Sequence, residues 1–196
     1  YSYWQFQSQS YPGQVFHNAY DNGSGTVAVL NIAEAMMKGP RPRRSVLFVF
    51  FTGEECGTVG SRYFTHLPTV PLSSIIGFLN FDSVGADQGP AYADVEIEIA
   101  GAQRYSEDLW TLSKSVNDAY LRMKAVFGED AGGDARPFML KQIPFLYFQN
   151  GEGSRMHVPS DTVDKIGFRK LERITRTGYA ITWALANAPH RPRIAQ

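Results

Sequence analysis

Cysteine is nearly missing from this chain: Cys56 stands alone among 196 residues, so no internal disulfide and no thiolate zinc cluster can form. Beside Glu55 it reads as a small residue at a helix start rather than as a nucleophile. A charge excess is missing too, because Lys plus Arg and Asp plus Glu both number 19. No basic field is therefore expected to recruit nucleic acid or an acidic membrane surface, and Pro40–Arg44 (PRPRR) reads as a solvated loop. No apolar run approaches the roughly 18 to 20 residues of a membrane span. Phosphate-binding glycine loops are absent: there is no GxxxxGK followed by Ser or Thr, and no GxGxxG. Without a GxSxG elbow, Ser24 in NGSG reads as a turn or N-cap residue. There is neither an internal repeat nor a low-complexity tract.

What the chain does have is a core: 43% of its residues are hydrophobic and 13% aromatic, enough for one domain. Ser45–Phe51 is an apolar, β-branched and aromatic run without alternation, which predicts a central strand covered on both faces. It stops at Thr52-Gly53 and hands over to two adjacent carboxylates, Glu54 and Glu55. Strand ends of this kind are where ligands bind in open α/β sheets. Two acids at the end of a buried strand need a partner or a proton, and a metal ion supplies one. Consecutive side chains at a turn point in different directions, so one Glu can bind a metal while its neighbour holds a water.

Around that stretch the chain alternates. Residues 1–20 lack any period and read as loop, with a polar turn at Asp21–Gly25. Helices are predicted from Thr26 to Lys38, Thr58 to Leu67, Arg104 to Lys124 and Phe168 to Ala188. Strands are predicted at Ser74–Phe81, at Asp94–Ala100 as a half-buried edge, and at Ile143–Phe148. Phe127–Phe138 is expected to be loop, and 189–196 a frayed tail. Alternating strands and helices predict a three-layer α/β/α fold with a central mixed, mainly parallel sheet. Asp21, Glu54, Glu55 and Asp82, with His157, all fall at element junctions. Hard oxygen ligands with one imidazole suit zinc or a similar divalent ion.

Four motifs then stand in order: AYDNGSG at 19–25, FFTGEECGTVGSRYF at 50–64, LNFDSVG at 79–85 and MHVPSDTVDKI at 156–166. Together they resemble the co-catalytic zinc aminopeptidases of the bacterial leucyl aminopeptidase type, relatives of glutamate carboxypeptidase and the transferrin receptor ectodomain. The likeness runs from about Val15 to Ala188 and implies a zinc-exopeptidase-like catalytic domain over 1–196, with 1–14 irregular. It implies Asp21 as the carboxylate bridging two zinc ions, Glu55 and His157 on one ion, and Asp82 on the other. Glu54 would be the general base, moving a proton from a zinc-bound water to the leaving amine of a peptide with a free amino terminus.

Asp134 matches an Asp that precedes Pro-Phe in the family, with Ala135 where His is common, and is expected near the pocket or as a helix N-cap. Asp161 and Thr162 are expected to orient the imidazole of His157 or to cap a turn. The family's first histidine ligand has no counterpart between Tyr1 and Tyr20, and His17, four residues before Asp21, lies in the wrong segment. The strands that normally precede the bridging Asp are expected to be missing, so the chain reads as part of a catalytic domain. Two alternatives stay open on that account: a glutaminyl-cyclase-like acyltransferase with a single zinc, and a non-catalytic binding relative. Peptides are the expected partners, the oligomeric state is open, and a secreted or periplasmic location is expected.

Overall fold

The structure is a computed structural model that describes residues 11–86, 96–101, 105–128, 132–149 and 156–194. An irregular turn, Ala19–Ser24, leads into α1 (Gly25–Lys38). Then come α2 (Val59–His66), β1 (Phe78–Phe81), β2 (Glu96–Ala100), α3 (Glu107–Val116), β3 (Lys124–Gly128), α4 (Ala135–Leu140), β4 (Phe145–Gln149) and α5 (Phe168–Asn187).

The four strands form one mixed sheet in the order β1-β4-β2-β3. β1 runs parallel to β4 and β2 parallel to β3, while β2 and β4 are antiparallel. The predicted mixed, mainly parallel sheet is therefore present. Alternate residues of β4 enter different clusters, as the two-residue period of a strand requires. Leu146 and Phe148 join a large core with Ile32 of α1, Leu109 of α3 and Ile174 and Ile181 of α5. Phe145 and Tyr147 join a smaller one with Ala135 and Met139 of α4. A third cluster gathers Phe64 of α2, Phe138 of α4 and Phe51, with Phe78 and Phe138 stacked at a centroid distance of 3.8 Å.

Four expectations need correction. Ser45–Phe51 forms no ladder with the described strands, and it is not covered on both faces: Leu47 is 56% and Phe50 53% exposed. Only Val46 and Phe48 pack against the large core. An apolar run marks what a segment can bury, but a strand also needs a lateral partner. β2 is not an edge, since it lies between β4 and β3. Its alternation reports its faces and says nothing of its neighbours. The long helix from Arg104 breaks early: Asn117 donates from Nδ2 to Met123 O (2.9 Å) and accepts from Met123 N (3.1 Å). Arg122 takes a positive φ of 45°, and the chain reverses into β3, where a helix end and a loop were expected. Finally, α4 lies across the expected loop; its six residues form a helix around Phe138, which is 2% exposed. Burying such a ring stabilises by about 2 to 3 kcal/mol, which local propensity could not announce.

Candidate metal centre

Glu54 and Glu55 occupy a tight turn closed by Gly57 N to Glu54 O (2.9 Å) and Thr58 N to Glu54 O (2.7 Å), after Gly53 at φ 68°. The two side chains part, as expected. Glu55 Oε1 lies 2.8 Å from His157 Nε2, and the same nitrogen lies 3.0 Å from Asp21 Oδ2. Ligand atoms of Asp21, Glu55 and His157 all fall within 4.8 Å of one another. Glu54 turns instead toward Gly133: a Cβ built there would stand 3.0 Å from Asp82 Oδ2 and 3.1 Å from Glu54 Oε1. A side chain there would press on both carboxylates, and the backbone takes a φ of 45° that favours glycine.

Asp21 sits in the turn ahead of α1, which is pressed onto the end of β1. A Cβ at Gly25 would be 2.2 Å from Phe81 O, so a side chain has no room there. Asn22 fastens the contact by donating to Phe81 O (2.9 Å) and accepting from Gly25 N (3.0 Å) and Ser83 N (3.1 Å). The Asp21–Asn22 peptide bond is cis. Ser24, expected to cap α1, donates to Tyr20 O (2.6 Å) and accepts from Val84 N (3.1 Å), tying the Asp21 loop to the loop behind Asp82. Asp82 itself accepts from Tyr147 Oη (2.9 Å) and Ser83 Oγ (3.3 Å).

Asp134 stands at the N-cap of α4, but its carboxylate does not cap it; Ser61 of α2 donates to its Oδ1. Asp161 turns both carboxylate oxygens to the backbone of the Asp21 loop, accepting from Tyr20 N (2.7 Å) and Asp21 N (3.0 Å), so its placement departs from the expected role on the imidazole. Thr162 faces Ser160 O and Asp164 on the surface. His17 is exposed and outside the three-ligand group. Reading the sequence missed Asn22, Ser61 and Tyr147. Tyr147 had a signal, as the one polar side chain within the apolar run FLYF; Ser61 had none.

The electrostatics ask for a cation. Burial first, then the charges of Asp82, Glu55 and Glu54 and the contact with Glu55, push Asp21 up to about 8. Burial, then Asp82, Glu55 and Asp134, push Glu54 up to about 7. Asp82 is held above the usual carboxylate range mainly by burial, although Tyr147 and Ser83 pull the other way. Burial likewise raises Asp134. Asp21 Oδ2 is fully buried and close to His157, yet no donor is aligned on it. A buried carboxylate oxygen aimed at a neighbouring imidazole and carboxylate without an aligned proton fits a divalent ion, and this O/N donor set suits zinc.

Residues 9–182 match the model of peptidase family M28. The chain belongs to that family. Among relatives of this M28 chain, leupeptin-inactivating enzyme 1 of Streptomyces exfoliatus is 40% identical over 74 residues, covering 37% of this chain and 17% of that protein. Aminopeptidase YwaD of Bacillus subtilis (strain 168) is 26% identical over 177 residues, covering 87% of this chain and 37% of that protein. The aminopeptidase from Aneurinibacillus sp. strain AM-1 shares the fold at a TM-score of 0.75 and 21% identity, over 91% of this chain and 41% of that one. The chain thus spans less than half the length of each of the three.

Proposed function

We propose that this chain carries the metal-dependent centre of an aminopeptidase that hydrolyses the first peptide bond of peptides with a free amino terminus. The observation that carries the reading is the convergence of Asp21, Glu55 and His157 around the buried, undonated Asp21 Oδ2. These three would hold one zinc ion, and Asp21 with Asp82 would offer carboxylates to a second. Zinc bound there supplies Lewis acidity toward the scissile carbonyl and lowers the pKa of a coordinated water.

The chain's own groups do the rest. Glu54 is outside the three-ligand group, beside Asp82 across Gly133, so its carboxylate is free to accept the proton of the attacking water and return it to the leaving amine. The turn at Gly53–Thr58 sends Glu55 toward His157 and Glu54 toward Gly133. Tyr147 holds Asp82 through its hydroxyl, so the second carboxylate stands in one orientation. The family membership and the aminopeptidase relatives support the reaction class.

The test is zinc content per chain measured alongside hydrolysis of a leucine anilide. Glu54→Gln is expected to keep its zinc and lose about 100- to 10,000-fold in turnover, the range of a lost general base. A wild-type chain that takes up no zinc, or a Glu54→Gln variant with full turnover, overturns the reading.

A further inference from the structure

Three consecutive amides of the Asp21 loop end on one residue. Ala19 N donates to Asp161 O (3.3 Å), Tyr20 N to Asp161 Oδ1 (2.7 Å) and Asp21 N to Asp161 Oδ2 (3.0 Å). Asp161 lies only four residues beyond His157, in a turn that His157 enters at φ 59°. One ligand loop is therefore hung on another from which 140 residues of sequence separate it. Asn22 and Ser24 tie the far side of the loop to Phe81, Ser83 and Val84, but no helical backbone sets its near side, for Asp21 (φ −109°, ψ 97°) and Asn22 (φ −125°, ψ 43°) are not helical.

The residue type is informative. Asp161 is 3% exposed, and burying a carboxylate among neutral partners is costly when a serine could close a simple turn. Only a carboxylate offers two acceptor oxygens and no donor, so each of the two adjacent N–H groups has an oxygen of its own. We propose that Asp161 is the positioning residue of the metal site: it holds Asp21 in register with His157 before an ion binds. This rests on the metal-site reading above.

Asp161→Asn tests it, because the amide presents a donor where one N–H now finds an acceptor. Zinc affinity is measured by chelator competition and ligand geometry by the absorption spectrum of the cobalt(II)-loaded protein. The expected result is a zinc affinity about 10- to 100-fold weaker, as for other groups that orient ligands, with an altered cobalt spectrum. Thr162→Ala, its surface neighbour, is expected to change neither. If Asp161→Asn lowers only the melting temperature and leaves affinity and spectrum untouched, Asp161 is a structural cross-link and the proposal falls.

Should the variant not fold, amide hydrogen exchange on the metal-free wild-type chain decides. Tyr20 and Asp21 amides protected without zinc support the clamp; amides that exchange freely until zinc is added overturn it. A wild-type chain that binds neither zinc nor cobalt overturns the metal-site reading and this proposal with it. A wild type and an Asp161→Asn variant that bind zinc equally overturn this proposal alone.

Discussion

Glu54 and Glu55 have the same chemistry one residue apart, and the turn at Gly53 separates their work. Glu55 meets His157, and Glu54 meets Asp82 across Gly133. That much was legible, because acids at an element junction are costly without a partner. The groups that hold them were not. Asn22 and Ser24 act through main-chain atoms of Phe81, Ser83 and Val84, and Ser61 acts on Asp134 from 73 residues away. No local pattern encodes such pairs. Ser61→Ala removes the hydroxyl that donates to the largely buried Asp134. It is expected to destabilise the protein by about 1 to 3 kcal/mol in urea unfolding, the cost of a buried acceptor left unpaired. An unchanged midpoint would show that water reaches Asp134.

Among the elements, α1, α2, β4 and α5 fall close to their predicted spans, because each has a long period or a clean apolar run between breakers. The short elements β3 and α4 were misread. β3 exists through its parallel ladder to β2, and α4 through the aromatic stack around Phe138. Both partners are distant in sequence. The chain reversal before β3 depends on Asn117, 3% exposed, which spans Met123 with two hydrogen bonds. Asn117→Ala is expected to cost about 1 to 3 kcal/mol by exposing both Met123 groups to an apolar pocket. Hydrogen exchange would show the loss concentrated in β3 and the end of α3, and a uniform loss would contradict a local role.

At the scale of the whole molecule, the crowded carboxylates strain the fold. Asp21 is raised from 3.8 to about 8 and Glu54 from 4.5 to about 7. The folded state then binds protons more tightly than the unfolded state, so the stability these groups allow is fully present below about pH 4 and is lost as pH rises through about 7 and 8. The melting temperature of metal-free protein is expected to fall across that window. Zinc, if held as proposed, is expected to bind the folded ligands as anions and reverse the trend, adding about 2.7 kcal/mol at 100 times its dissociation constant. Calorimetry with and without zinc from pH 4 to pH 8 checks this. A metal-free melting temperature that does not change with pH would contradict the crowding of carboxylates.

The sequence by itself determined the mixed α/β class and the helices flanking the site, and it singled out Asp21, Glu55 and His157, which the structure brings together, because period, breakers and isolated acids are local properties of a chain. The tertiary structure decided which oxygen faces which nitrogen. It moved β2 into the sheet, left Ser45–Phe51 outside the described ladder, and turned Asp161 from His157 toward the backbone of Asp21. Those outcomes depend on lateral pairing and on partners up to 141 residues apart, and such distances close only when the chain has folded.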